Sequence, residues 1–184
     1  MDTIKESILS TNWSTQLLLI FFCCRNTGWR QQIFVNLLII LKTIIFFGSS
    51  AMGDAVSAGP LYGRPFGGTA ILIKASLLQH CECIAAFDRF VIIRCGDVII
   101  VNVYFPAVGS INRDLIYSEL TNEISVWMSK YSNCACIIGG DFNTNLDNNS
   151  EVTRIINDFV RTQNFLRCDV IFSNNCQFTY KWIS

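Results

Sequence analysis

Polar side chains stand at the ends of two apolar runs of the sequence. Asn102 and Tyr104 belong to the end of VIIVNVYF, and Asp141 and Asn143 follow CACIIGG. Because loops at the carboxyl ends of strands carry catalytic groups in layered α/β architectures, these residues are candidates for a site. A carboxylate can accept a proton from water or hold the water in line, and amide or phenol groups can donate to a phosphate oxygen. Such groups, with a divalent cation, suit phosphodiester hydrolysis.

Each of these features also has a purely structural interpretation. A Gly-Gly-Asp sequence is usually a turn, and a tyrosine at the end of an apolar strand is usually part of the core. Gly139 and Gly140 permit unusual backbone angles, which serve either a turn or the close approach of a phosphate. On an extended chain, Asn143 would project to the same side as Asp141. The combination of the two strand ends favours a site.

Apolar patterns predict the elements that would position these residues. Strands are predicted at 69–74, 90–94, 98–105 and 134–140, with two further short strands in DVIF and QFTYKW. Cys95-Gly96-Asp97 predicts a hairpin between the second and third strands. One helix is predicted over 112–131, and Ser150 is expected to cap a second helix. The apolar stripe predicted for the first helix comprises Leu115, Ile116, Leu120, Ile124, Trp127, Met128 and Tyr131. This order of elements indicates a layered α/β (α+β) sandwich with helices outside the sheets.

The composition describes an apolar chain of one domain. Of its 184 residues 51% are hydrophobic and 15% charged, and 14 lysines and arginines balance 14 aspartates and glutamates. Net charge therefore predicts no partner, and nucleic-acid contact would need a local basic patch, which the scattered arginines 64, 89, 94 and 113 do not indicate. The nine cysteines include no C-x-x-C pair and His80 is the single histidine, so zinc is not expected. Reduced thiols in an intracellular protein are expected.

Residues 1–47 are predicted to form an atypical apolar segment that precedes a partial domain at 48–184. As a helix at about 1.5 Å per residue, the run 33–47 would reach only about 22 Å, short of a bilayer core of about 30 Å. Lys42 lies inside this run and costs about 3 kcal/mol on insertion. Asp2 and Glu6 offset Lys5, which does not fit a signal peptide. A buried or misassembled segment is therefore favoured over a membrane span.

Taken together, the motifs resemble the endonuclease/exonuclease/phosphatase superfamily, and in particular the apurinic-endonuclease-like domain of non-LTR (LINE-type) retrotransposons. The resemblance covers residues 48–184 and rests on FGSSAMGDAVSAGPLYGRPFGGTAILIK, RFVIIRCGDVIIVNVYFP, CIIGGDFNTNLD and the late FTY, which occur in the family's order. It implies a four-layer αββα sandwich, incomplete at both ends. It also implies a DNA-nicking activity with Mg²⁺ that leaves a 3′-hydroxyl to prime reverse transcription.

The same resemblance implies roles for individual residues. Tyr104 would contact the scissile phosphate, Asp141 would activate or orient the nucleophilic water, and Asn143 would stabilise the phosphate in the transition state. Thr179, in FTY, would bind substrate near the site. The implied partner is DNA, through its phosphate backbone, with no small-molecule cofactor. A monomer that acts inside the cell, in the nucleus, is expected.

The sequence also departs from that family. No acidic residue lies between Glu6 and Asp54, so the family's metal-binding glutamate has no counterpart. The sequence stops at TYKWIS, before the family's S-x-x-D strand and terminal Asp-His pair, and His80 stands elsewhere. The metal ligands are therefore unassigned, and activity is expected to be impaired, since the loss of one such group typically costs about a hundred- to a thousandfold in rate and the losses are not additive. Two other functions stay open: a non-catalytic nucleic-acid-binding or interaction module on the same fold, and a membrane-associated protein.

Overall fold

The structure is a computed structural model that describes residues 20–23, 44–49 and 68–168. Its elements, in chain order, are β1 (Ile20–Cys23), β2 (Ile44–Ser49), β3 (Thr69–Lys74), a 3-10 helix (Ala75–His80), β4 (Cys81–Ala86), β5 (Phe90–Cys95), β6 (Val98–Tyr104), α1 (Arg113–Lys130), β7 (Ala135–Asp141) and α2 (Glu151–Thr162). The strands predicted in DVIF and QFTYKW, and with them Thr179, lie outside the described residues.

The described strands form two sheets. A three-stranded antiparallel sheet has the order β1-β3-β2, and a four-stranded mixed sheet has the order β4-β5-β6-β7. In the second sheet β6 pairs antiparallel with β5 and parallel with β7. The predicted hairpin is confirmed, with Gly96 in its turn at a φ of 59°. The predicted strands match β3, β5, β6 and β7 to within a residue at their ends.

Strand β6 is apolar from Val98 to Val101, as expected of a strand with both faces covered. One face packs on the three-stranded sheet through a cluster of buried residues: Ile71, Ile73, Val91, Ile93, Cys95 and Ile100. The other face packs on the helices through a cluster that includes Phe90, Ile92, Val101, Val103, Phe105, Tyr117, Leu120, Ile124, Val152 and Ile156. The buried side chain of Asn102 crosses between the sheets and donates Nδ2–H to the carbonyl of Ala70 at 2.8 Å. Asn102 is therefore a structural link and is not part of a strand-end site.

Both predicted helices are present, with one correction to the first. Residues 117, 120, 121 and 124 form the buried face of α1, whereas Leu115 is 55% exposed. The prediction that Leu115 belongs to the apolar stripe is wrong, because Leu115 lies two residues before the buried Tyr117, about 200° around the helix at 100° per residue. Ser150 caps α2 as predicted, since its Oγ accepts from the N–H of Thr153 at 3.3 Å.

Strand β4 was not predicted from the sequence, and it corrects the expectation about thiols. Its burial pattern is irregular, with Glu82 and Cys83 exposed at the edge of the sheet. Pairing with β5 places Cys81 opposite Cys95, and the two form a disulfide. The expectation of reduced thiols is therefore wrong for this pair, because the pairing register brings together two cysteines that are 14 residues apart.

The described elements form a mixed α/β arrangement, which confirms the predicted α/β (α+β) class: one sheet lies on the other, and helices cover the opposite face of the four-stranded sheet. Parts of the apolar N-terminal segment are strands, because β1 and β2 flank β3. Strand β2 continues across the predicted division between residues 47 and 48. No helix in the described part of the chain is both long and apolar enough to cross a membrane.

Candidate functional site

Two of the candidate residues meet at the carboxyl ends of β6 and β7. The parallel register pairs Tyr104 with Asp141, and both side chains are partly exposed. One residue further on, the N–H of Phe105 donates to the carbonyl of Asp141 at 2.9 Å, so the pairing extends past the end of β6. In a parallel pair, residues in register point to the same face of the sheet. A phenol and a carboxylate therefore lie side by side at the carboxyl ends of these two strands.

Arg89, which immediately precedes the neighbouring strand β5, extends this row. Its carbonyl accepts from the N–H of Tyr104 at 2.7 Å, and its guanidinium carbon lies 5.8 Å from the centroid of the Tyr104 ring. Sequence reasoning treated Arg89 as one of several scattered arginines. The hairpin register could have found it, because Arg89 precedes Phe90, whose partner is Val103.

Asn143 is close to this row, but its expected orientation is wrong. Its backbone is left-handed, with a φ of 48°, because its N–H donates to Oδ1 of Asp141 at 3.0 Å and so closes a turn. The side-chain Nδ2 donates to the carbonyl of Phe105 at 2.8 Å. Asn143 thus ties the end of β7 to the residue that follows β6, instead of continuing an extended chain beyond Asp141.

The first turns of α1 hold both strand ends from the helical side. Nε of Arg113 donates to the carbonyl of Pro106 at 3.1 Å, and Nη2 donates to the carbonyl of Asn143 at 2.6 Å. The buried phenol of Tyr117 donates to the carbonyl of Phe142 at 2.6 Å. We call these two side chains the Arg113–Tyr117 clamp. It connects the residues that follow Tyr104 and Asp141 to a single helix.

The two members of the clamp also interact with each other. Nη2 of Arg113 donates to the Tyr117 hydroxyl at 3.1 Å, and the guanidinium lies 5.0 Å from the ring centroid. Burial raises the pKa of Tyr117 to about 12, although the nearby Arg113 charge lowers that pKa and the Asp141 carboxylate raises it. The phenol is therefore protonated at neutral pH and can donate. Sequence reasoning missed the clamp, because its function depends on the carbonyl groups that α1 meets across the fold.

Gly140 has a structural role at the same place. Its φ is 134°, and a Cβ atom there would lie 2.0 Å from the carbonyl oxygen of Val103 and 2.8 Å from Oδ1 of Asn102. The close approach that requires glycine is therefore to the backbone of β6. Both glycines belong to β7 and not to a turn. The need for glycine at position 140 thus has a physical basis, close packing on β6, that does not involve a phosphate.

The described residues do not form a metal centre. No group of three His, Cys, Asp or Glu residues in ranges 20–23, 44–49 and 68–168 could hold an ion. Asp141 contributes one carboxylate, whereas Asp147, further along the loop, pairs with Arg167 at 3.0 Å. His80 is exposed, and its carbonyl accepts from Gly96 at the opposite end of β5 from Arg89. The residues present therefore do not by themselves fit a Mg²⁺ site, which normally has six oxygen ligands.

A pocket of about 290 Å³ lies elsewhere, between the beginnings of β6 and β7 and the end of α1. Its lining includes Ile99, Tyr131, Cys134 and Cys136. Burial raises the pKa of the Cys136 thiol to about 12, so this thiol is protonated at neutral pH. Cys134 and Cys136 pack against the core beneath the helices, as expected of small apolar residues.

Comparison of the chain with models of known protein families gives no match, and comparison with curated proteins gives none either. The resemblance to the endonuclease/exonuclease/phosphatase superfamily therefore stays a prediction. Arg89, Tyr104 and Asp141 lie together at one end of the four-stranded sheet. This end of the sheet combines a cation, a phenol and a carboxylate within one row. Such a set can bind a phosphate and orient a water beside it.

Proposed function

We propose that the chain is a phosphodiester hydrolase that nicks DNA, built on a four-layer αββα sandwich of the endonuclease/exonuclease/phosphatase type and impaired in rate. The observation that supports the proposal is the register of Tyr104 with Asp141 at the ends of two adjacent parallel strands. The motifs NVYFP and GGDFN, which lie far apart in the sequence, contribute these two residues. Their juxtaposition is what a site built from both motifs requires.

The proposed chemistry assigns one task to each side chain. The carboxylate of Asp141, oriented by the N–H of Asn143, accepts a proton from the attacking water or holds that water in line. The phenol of Tyr104 donates to a non-bridging phosphate oxygen. Nδ2 of Asn143 carries two hydrogens, of which Phe105 uses one, so the other can donate to the same phosphate. Thr179 is proposed to bind substrate nearby.

Mg²⁺ belongs to this proposal through the family resemblance. A divalent cation would supply charge neutralisation at the phosphate. The described carboxylate does not define a position for it, so no step is assigned to the ion. The proposed substrate is DNA, contacted through its phosphate backbone by a monomeric protein in the nucleus.

Nicking of supercoiled plasmid by the purified chain tests the proposal. The expected result is conversion to open circles with Mg²⁺, abolished by EDTA. Asp141→Asn is expected to reduce the rate by about a hundred- to a thousandfold, because it removes the base and retains the shape. Asp147→Asn is the matched control, since Asp147 lies in the same loop with a side chain that is 75% exposed.

Equal background nicking by the wild type and Asp141→Asn, with both shown to be folded by circular dichroism, would overturn the proposal. Binding of the plasmid without nicking would then indicate the alternative function, a non-catalytic nucleic-acid-binding module. Arg89 favours that alternative as the second candidate, because a cation beside Tyr104 supports phosphate binding whether or not hydrolysis follows.

A further inference from the structure

The guanidinium of Arg89 is unusual among the charged groups of the described residues. Its Nη1 atom is buried and has no hydrogen-bond partner there. Buried polar atoms are almost always hydrogen-bonded, and buried charges are normally paired. The other arginines near the ends of β5 and α1 have acceptors, since Arg94 donates to Gly96 and Arg113 donates to Pro106 and Asn143. An unpaired donor such as Nη1 requires an explanation.

The position of Arg89 supplies one. Arg89 immediately precedes β5, and its carbonyl accepts from Tyr104. Its guanidinium carbon lies 5.8 Å from the Tyr104 ring, and Tyr104 is in register with Asp141. The unsatisfied N–H is thus on the strand end next to the proposed site. A planar guanidinium is suited to oxygen anions, because its N–H groups form a fork that matches two phosphate oxygens.

We propose that Arg89 is a phosphate-binding residue that donates to a non-bridging oxygen of the DNA phosphodiester contacted by Tyr104. The assignment rests on the proposed site but does not require hydrolysis there. One bound diester oxygen satisfies the buried Nη1 and pairs the charge of the partly buried guanidinium. The same phosphate then lies beside the phenol of Tyr104, with the carboxylate of Asp141 on the far side of that residue.

Fluorescence anisotropy of a labelled DNA duplex, with EDTA present to prevent turnover, tests this role. Arg89→Met is expected to weaken binding by roughly tenfold to a hundredfold, because a hydrogen bond to a charged group is lost. It is also expected to reduce the slope of log affinity against log salt concentration by about one. Arg89→Lys should recover part of the affinity, since it restores the charge without the fork. Arg94→Met, near the opposite end of β5 from Arg89, should change neither quantity.

Thermal unfolding separates ligand binding from a structural role. A structural arginine would lower the melting temperature when replaced, whereas removing a guanidinium whose buried Nη1 has no partner should leave the melting temperature unchanged or raise it. Wild-type affinity in Arg89→Met would overturn the proposal, as would failure of the wild type to bind the duplex. Loss of affinity together with a lowered melting temperature, not restored by Arg89→Lys, would also overturn it. If DNA binding depends on Arg89 but the chain does not nick plasmid, the proposed role of Arg89 stands. Only the proposed nuclease activity is then overturned.

Discussion

The phenol of Tyr117 donates a hydrogen bond of 2.6 Å to the carbonyl of Phe142. Phe142 directly follows Asp141, so the orientation of the candidate base depends on a helix that begins 28 residues earlier in the sequence, at Arg113. Arg113 adds a hydrogen bond to the next carbonyl, that of Asn143. The Arg113–Tyr117 clamp therefore fixes the backbone that follows Asp141 at the carboxyl end of β7.

Replacement of Tyr117 by phenylalanine should destabilise the protein by about 1 to 3 kcal/mol, because the carbonyl of Phe142 loses its donor in a partly buried setting. The ring itself is retained, and so is its stacking on Phe105 at 4.6 Å between centroids. Urea unfolding measures the change. Tyr131→Phe, at the end of α1, is the control and should be nearly neutral. Identical unfolding midpoints for wild type and Tyr117→Phe would contradict the role of the clamp.

The stability of the protein at alkaline pH should depend on the protonation of Tyr117. The folded-state pKa of Tyr117, about 12, lies above the ordinary value of 10. Since the folded state retains its proton longer, this contribution is complete below pH 10 and is lost as the pH rises from about 10 to about 12. The melting temperature of the wild type should therefore fall more steeply through this window than that of Tyr117→Phe. Equal slopes for the two would show that this phenol is not protected by folding.

Gly140→Ala should destabilise the fold by about 3 kcal/mol or more, since a left-handed backbone strain is combined with a backbone clash. The matched variant is Gly96→Ala, at a φ of 59° with nothing within 4 Å of the added Cβ atom. Gly96→Ala should cost only the conformational term, about 1 kcal/mol. Chemical denaturation of both variants separates strain from clash. Similar losses for the two would mean that β7 moves away from β6 at little cost.

The disulfide between Cys81 and Cys95 should stabilise the protein by about 2 to 4 kcal/mol, because it closes a loop in the unfolded chain. The double variant Cys81→Ser, Cys95→Ser should unfold at a correspondingly lower denaturant concentration, and dithiothreitol should lower the stability of the wild type alone. Cys83→Ser, which removes an exposed free thiol on β4, is the control. Thiol counting under denaturing conditions reports whether the bridge is present. A wild type that is insensitive to reductant would contradict its contribution.

Local patterns in the sequence were sufficient for much of the fold. The apolar runs of β3, β5, β6 and β7 identify these strands because they are short and rich in β-branched residues, which favours a strand over a helix. Gly96 marks the hairpin, and the hydroxyl of Ser150 caps α2, since both effects act within a few residues. The edge strand β4 escaped prediction because its exposed Glu82 and Cys83 interrupt any such pattern.

The sequence by itself determined which residues stand at the ends of β6 and β7, and that they include a phenol and a carboxylate. Only the tertiary structure decided how they meet. The parallel register places Tyr104 beside Asp141, and the pairing of β5 with β6 brings Arg89 next to Tyr104. The turn at Asn143 points its side chain in a direction that differs from the one predicted for an extended backbone. The physical reason is that register and crossover geometry depend on the packing of distant segments, and a carbonyl acceptor such as that of Phe142 has no sequence signal at all.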